Sequence, residues 1–249
     1  MAAELDIVIP VYNERSTILA TLGALARELK TPARVLICYD QADDNTLPVV
    51  RDNAAAYAAI PIEFVKNRGQ GAQQAVLAGF AASKAPYILV LPADDDFNAG
   101  ILDSMVALAQ SGSDIVCASR FMPGGKMEGC PWLKAVLVRS AAFMLHRIAG
   151  LPTYDATSGF RLFSRRVIER IAIESDQGFC YSIELLVKVH RLGWKIAETP
   201  AVWFERKHGT SRFQVLRWVP AYLRWFGYGF STRFLCRSPA TVLLKPPPT

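Results

Sequence analysis

Leu5-Asp6-Ile7-Val8-Ile9-Pro10-Val11-Tyr12-Asn13-Glu14 is an apolar run that stops at a proline and passes into polar residues; Ile18, Leu19, Leu22, Leu25, Ala26 and Leu29 then recur at helical spacing. The reading is strand, loop, helix. The same alternation predicts strands at 35–39, 62–65, 87–91 and 114–118, with helices at 47–59, 71–83 and 101–110. Strands alternating with helices of about 10–15 residues make right-handed βαβ units and a mostly parallel sheet covered on both faces. Such α/β sheets bind ligands beyond the carboxyl ends of their strands. Here those ends carry Pro10 to Glu14, Asp40-Gln41-Ala42-Asp43-Asp44 and Pro92-Ala93-Asp94-Asp95-Asp96. Past residue 120 a Gly-rich loop, a helix over 132–148, a loop over 153–161 and shorter elements follow, with no linker and no internal repeat.

The 249 residues are 51% apolar and 20% charged, which excludes disordered and low-complexity classes and is enough for one large domain or two small ones. The net charge of +6 is lopsided. Residues 206–249 hold eight Lys or Arg and no acid, which leaves 20 basic against 22 acidic residues, or −2, for 1–205. That end of the chain calls for an anionic partner, nucleic acid or acidic lipid. Cys38, Cys117, Cys130, Cys180 and Cys236 contain no C-x-x-C pair and read as reduced thiols of a cytosolic protein, while His146, His190 and His208 have no His or Cys at zinc-ligand spacing. The N-terminus predicts no secretory signal, and charged residues interrupt every apolar stretch before the roughly 20 residues a bilayer requires, including the C-terminal region, where Arg217, Arg224 and Arg233 recur.

Three adjacent carboxylates at 94–96 repel one another unless a cation joins them, and oxygen donors select Mg²⁺ or Mn²⁺ bridged to a diphosphate. A solvated turn capping the next helix is the competing explanation. Asp40 suits hydrogen bonds from a base or ribose, whereas Asp43 and Asp44 suit a turn. Arg68-Gly69-Gln70-Gly71 lacks the lysine and third glycine of phosphate-cradling loops and reads as a loop beside the substrate. Arg120, Arg139, Arg161, Arg206 and Arg212 are candidate phosphate partners, because a guanidinium donates two parallel hydrogen bonds. Residues 213–234 interleave aromatics with arginines, a pattern that suits a membrane interface, stacked bases or a helix packed on the core.

Taken together, these motifs resemble the family 2 glycosyltransferases, in the branch similar to dolichol-phosphate mannosyltransferase and its bacterial polyprenyl-phosphate relatives. The likeness is carried by Ile7 to Glu14, Cys117-Ala118-Ser119-Arg120-Phe121 with Gly124-Gly125, Thr157-Ser158-Gly159-Phe160-Arg161-Leu162 and Ile183-Glu184-Leu185-Leu186. It implies a GT-A fold over residues 1–212, membrane-interface helices over 213–237 and a flexible tail over 238–249. It also implies an inverting transfer from a nucleotide-diphosphate sugar to a polyprenyl phosphate, by a protein peripheral on the cytosolic face of a membrane and without nucleic acid. On this reading Pro10, Tyr12, Glu14, Asp40, Gln70, Ala93, Asp94 and Arg206 hold the donor, and Asp94 with Asp96 holds Mg²⁺ or Mn²⁺. Ser119, Arg120, Arg139, Ser158, Ser211 and Arg212 hold the acceptor, and Asp96, Arg120 and Arg139 carry the chemistry. The chain departs from the family at Pro92, where an acid is usual, at Asp96, which replaces a Gln, at Tyr39-Asp40-Gln41, where Asp-Asp-Gly is common, and at Gln70, which replaces a Lys. A hydroxyl acceptor with Glu184 as base and a non-catalytic nucleotide-sugar-binding scaffold are the alternatives.

Overall fold

A computed structural model describes residues 3–205 and 215–246, with the backbone alone for 215–219. Seven strands form the central sheet: β1 (Leu5–Pro10), β2 (Ala33–Tyr39), β3 (Ile62–Lys66), β4 (Tyr87–Val90), β5 (Ile115–Ser119), β7 (Arg161–Ser164) and β8 (Ile196–Pro200). Their spatial order is β3-β2-β1-β4-β7-β5-β8, and all pairings are parallel except the two made by β7. In the centre Ile7 lies opposite Val35 on one side and Leu89 on the other. A second, two-stranded parallel sheet joins β6 (Lys126–Glu128) to β9 (Val202–Phe204).

Side chains alternate across a strand, so the apolar runs supply two cores. Leu5, Ile7, Ile9, Val35 and Ile37 pack with α1 (Ile18–Glu28), α2 (Thr46–Asp52) and α4 (Leu102–Gln110). Val8, Leu36, Cys38, Ile88 and Val90 face the other way, toward α3 (Ala72–Ala82), α6 (Arg165–Arg170) and α7 (Cys180–Arg191). Gly79 of α3 comes so close to β1 that a Cβ there would meet the Val8 side chain at 2.5 Å, so only glycine lets this helix sit down on the sheet. The one charge inside β1, Asp6, is fully buried and fully partnered. Arg34 binds it through two nitrogens at 2.9 and 3.0 Å, and Ser83 Oγ and the Lys84 and Ala85 amides donate to its Oδ2. Burial opposes its ionisation, but these donors together win and pull its pKa down to about 2.

Several expected boundaries move. The helix expected over 47–59 ends at Asp52, and a 3₁₀ turn over Ala54–Tyr57 follows. The helix expected over 132–148 is α5 (Trp132–Phe143), and it widens into a π turn over Met144–Ile148. The C-terminal aromatic stretch forms α8 (Val215–Phe234) and packs on α7. Trp225 is only 1% exposed and donates from Nε1 to Ser175 Oγ at 2.9 Å, while the Arg191 guanidinium lies 3.3 Å from the Tyr228 ring centroid. Of the three meanings open for this stretch, a helix packed on the core describes Trp225, Tyr228 and Phe230. The tail expected to be flexible from 238 makes contacts with the body as far as Lys245. Leu244 bridges to Ile171, the Lys245 amide donates to Arg170 O and Lys245 Nζ to Ile168 O, because the tail finds unpaired carbonyls at the end of α6. Among the described residues no helix is long and apolar enough to cross a membrane, and all five cysteines are free.

Candidate active site

The parallel strands bring their carboxyl ends to one edge, and the loops there are fastened to each other. Asn13, with φ of 58°, donates its amide to Asp44 Oδ2 at 3.0 Å, and the Glu14 and Arg15 amides donate to Thr46 Oγ1 and Asn45 Oδ1. Asp44 also closes the turn that leads into α2 by accepting from the Thr46 amide at 2.8 Å. Asp44 and Thr46 therefore hold the loop that carries Tyr12, which is 37% exposed, and Glu14, whose Oε2 accepts from Thr17 Oγ1. Pro10 ends β1 just before this loop.

Beside it lies a cleft of about 620 Å³ lined by Asp40, Gln41, Lys66, Asn67, Arg68, Gly69 and Gln70. Asp40 Oδ2 accepts from the Gly71 amide at 3.0 Å, and Gly71 has the positive φ of 87° that turns the chain into α3. The cleft thus joins Asp40 to Gln70, 30 positions away in sequence, and it brings Lys66, Arg68 and the buried Asn67 amide to the same place.

The acidic triplet after β4 divides. Asp95 turns inward, where its carboxylate accepts from Asn98 Nδ2 and from the Phe97 and Asn98 amides, and burial raises its pKa to about 6 against these hydrogen bonds. The capping turn that competed with a metal site therefore accounts for Asp95. Asp94 and Asp96 are half-buried on either side of it, and the Ala93 carbonyl accepts from Thr21 Oγ1. Among the described residues no group of three or more His, Cys, Asp or Glu is placed to cage a metal ion. Two hard carboxylates at alternate positions fit a cation that takes its other ligands from a diphosphate and water.

Asn98, which the sequence did not single out, continues this chain of contacts. Its Nδ2 donates to Val202 O at 2.8 Å and its Oδ1 accepts from Val202 N at 2.9 Å, so the acidic loop is tied to β9 and through β9 to β6. Directly before β6 come Arg120, Phe121 and the two glycines. A Cβ on Gly125 would stand 2.4 Å from Ser119 O, which is why this turn takes no side chain.

Arg120 is held by a residue the sequence reading passed over. Asp155, fully buried, accepts from Arg120 Nε at 2.7 Å, Nη2 at 3.0 Å and the backbone amide at 3.1 Å, and Nη2 also donates to Thr157 Oγ1. The same carboxylate accepts from Thr157 Oγ1 and from the Thr157 and Ser158 amides. Burial works against its charge, but the Arg120 guanidinium and these donors hold its carboxyl below the usual carboxylate range. Three of the five guanidinium protons of Arg120 are thereby engaged, and Nη1 carries the other two. The Arg120 and Arg139 guanidiniums each lie 5.0 Å from the centroid of the Phe121 ring. One aromatic ring thus gathers two cations, one from the turn directly after β5 and one from α5, 19 positions apart in sequence.

Other expected positions fare differently. Ser119 is fully buried with its Oγ unpaired, because it is the last inward residue of β5, and it presents no surface to an acceptor. Ser158 Oγ accepts from the Phe160 amide. Arg161 is buried among Ser182 and the Ala156 carbonyl and faces no cleft. Glu184 is fully buried and bound by the Glu174 and Ser175 amides and Lys188 Nζ, so it has no access to an acceptor hydroxyl. Arg206, Ser211 and Arg212 lie outside the described residues.

The glycosyl transferase family 2 model matches residues 6–172, which span β1 to α6. The chain belongs to this family. It is 26% identical over 211 residues to polyprenol monophosphomannose synthase of Mycolicibacterium smegmatis, covering 83% of this chain and 79% of that protein. It is 26% identical to dolichol-phosphate mannosyltransferase of Pyrococcus furiosus (90% of this chain, 65% of that one) and 28% identical to undecaprenyl-phosphate mannosyltransferase of Micrococcus luteus (88% and 95%). Glucosyl-3-phosphoglycerate synthase from Mycobacterium tuberculosis, solved with Mn²⁺, UDP and glucosyl-3-phosphoglycerate, superposes with a TM-score of 0.65 at 17% identity, over 91% of this chain and 81% of that one. The same synthase is also solved with Mg²⁺ and UDP. The expected GT-A architecture is the one observed, and the chain is a glycosyltransferase.

Proposed function

We propose that this glycosyltransferase moves a sugar from a nucleoside-diphosphate sugar to a polyprenyl phosphate, at a membrane surface and with inversion at the anomeric carbon. The convergence of Arg120 and Arg139 on Phe121 carries the reading, since two adjacent cations after β5, at the same edge of the sheet as the cleft after β2 and β3, suit an anionic acceptor. The three mannosyltransferases named above, whose own names specify polyprenyl-type acceptors, support it. The Asp40–Gln70 cleft takes the nucleoside, and Asp94 and Asp96 hold Mg²⁺ or Mn²⁺, which supplies neutralisation of the diphosphate charge.

In the transfer, an acceptor phosphate oxygen forms the bond to the anomeric carbon as the bond from that carbon to the diphosphate oxygen breaks, and the electron pair leaves with the nucleoside diphosphate. A phosphate dianion is already a nucleophile and has no proton to lose. The protein's task is then to bring two repelling anions together, and guanidiniums oriented beforehand do this without reorganising during the reaction. Asp155 orients Arg120, leaving Nη1 to donate to phosphate. The burial of Glu184 removes the base on which a hydroxyl acceptor relied.

A thermal-shift panel of UDP, GDP and CMP, each with and without Mn²⁺, tests the donor half, because a ligand bound only to the native state raises Tm by mass action. One nucleotide is expected to stabilise the protein only with metal, and Asp94→Ala is expected to abolish that shift. Transfer of radiolabelled sugar to a short, water-soluble isoprenyl phosphate tests the acceptor half. Stabilisation by no nucleotide, or no transfer from the nucleotide that stabilises, overturns the proposal.

A further inference from the structure

Helix α5 carries the largest run of exposed apolar side chains in the described part of the protein. Trp132 is 77% exposed, and Leu133, Val136, Leu137 and Phe143 are each more than half exposed; Met144 and Ile148 continue the run through the π turn. These positions follow i, i+1, i+4, i+5, i+11, i+12 and i+16, so they share one broad face. Ala142 and Leu145 occupy the opposite side and are buried. A soluble helix of this kind normally turns its apolar face to the core, and here the core side is filled and the outer side is apolar too.

The charge around this face has a single sign. No Asp or Glu occurs between Glu128 and Asp155, whereas Lys134, Arg139 and Arg147 fall within that stretch. Lys134 turns away to pair with Glu205 at 2.9 Å, so Arg139 and Arg147, both exposed, are the cations that remain with the apolar residues. Apolar side chains ringed by arginine, with a tryptophan at one end, are complementary to an anionic lipid surface, where the acyl boundary takes the former and the headgroups the latter. A second copy of the chain would set these arginines against each other.

We infer that α5, rather than the aromatic face of α8, is the element that docks the protein on an anionic bilayer. This rests on the polyprenyl-phosphate reading and deepens it. Arg139 projects from the same helix to the Phe121 ring, so the depth at which α5 sits fixes the height above the bilayer of one of the two cations offered to the acceptor phosphate. A lipid-borne phosphate emerging at the headgroup level then meets Arg139 without leaving the membrane.

The test is flotation of the full chain with vesicles of phosphatidylcholine alone and of a two-to-one mixture with phosphatidylglycerol. The wild type is expected to float with the mixed vesicles and far less with the neutral ones. Leu133→Glu and Leu137→Glu are each expected to lower affinity for the mixed vesicles about tenfold, and the pair about a hundredfold, since each withdraws one leucine from the acyl boundary and adds a repelled charge. Both sites are exposed, so Tm and transfer to the short soluble acceptor are expected to stay at wild-type values. Leu223→Glu, on the exposed side of α8, is expected to change flotation by less than about twofold. Flotation unaffected by the α5 pair, or lost with Leu223→Glu instead, overturns the inference. So does a wild-type dimer in sedimentation that the α5 pair dissolves while flotation persists. Failure of the wild type to glycosylate the soluble acceptor would overturn the functional proposal and leave the flotation result standing by itself.

Discussion

Replacing Asp155 by Asn keeps the shape of the side chain and removes its charge, which isolates what the carboxylate does. Asp155 is fully buried, and the Arg120 guanidinium it binds is 13% exposed. Breaking a buried ion pair from one side costs about 3–5 kcal/mol, most of it from leaving the other charge without a partner. Arg120 retains a path to water, so the low end applies, and the amide still accepts from the Ser158 and Thr157 backbone. The expected loss is about 3 kcal/mol. At about 2 °C per kcal/mol for a chain of this size, Tm falls about 6 °C. Removal of the exposed Arg27–Glu28 pair, whose side chains are 68% and 36% exposed, serves as the control and is expected to shift stability by less than about 0.5 kcal/mol.

The same substitution frees Arg120 to rotate, so the KM for a soluble isoprenyl phosphate is expected to rise about tenfold while the affinity for nucleotide stays unchanged. The pH dependence has a defined sign. Because the folded-state carboxyl of Asp155 titrates below its unfolded value, its stabilisation is complete above the ordinary Asp range near 3.8 and is lost as pH falls below it. The gap in stability between wild type and Asp155→Asn should therefore narrow on acidification. Urea unfolding at neutral and acidic pH, with initial rates against acceptor concentration, measures both effects. A Tm change under about 2 °C together with an unaltered acceptor KM would refute the argument that Asp155 positions Arg120.

Phe121→Leu removes the ring shared by Arg120 and Arg139, and with each cation–π contact worth about 0.5–1 kcal/mol the acceptor KM is expected to rise about tenfold with kcat changed less; Phe121→Tyr should restore it. Asp6→Asn is expected to cost about 2 kcal/mol at neutral pH, a difference that vanishes as pH falls from about 4 through about 2, since a carboxyl whose pKa is lowered on folding stabilises only while ionised; chemical denaturation at a series of pH values reads it. Glu184→Gln is expected to lower Tm by leaving Lys188 buried with less counter-charge, yet to leave the pH profile of kcat unchanged, and a lost basic limb in that profile would restore Glu184 as a base.

The alternation of apolar runs with helical periodicity was enough to place β1 to β5 and α1 to α4 to within a few residues, apart from the end of α2, because each signal is local and β1, β2, β4 and β5 are largely buried on both faces. The acid-rich strand ends were legible for the same reason: a carboxylate cluster after an apolar strand is a one-dimensional pattern. Asp155, Asn98 and Phe121 were not legible as parts of a site. Nothing local distinguishes Asp155 from any loop aspartate, and its meaning comes from lying against Arg120, which is 35 positions earlier.

The sequence by itself therefore determined the class of fold, the edge of the sheet where the chemistry lies, and the residue types gathered there. Tertiary structure decided the order of the strands and the partnership of the charges. The insertion of β7 antiparallel between β4 and β5 depends on cross-strand hydrogen bonds that leave no periodic trace, and it is this insertion that places the 155–160 loop beside Arg120. The same holds for the two aromatic helices. Sequence pattern made α8 the lipid-facing candidate, but which side of a helix is covered depends on the neighbours that reach it, and α7 covers Trp225 while nothing in the described chain covers Trp132.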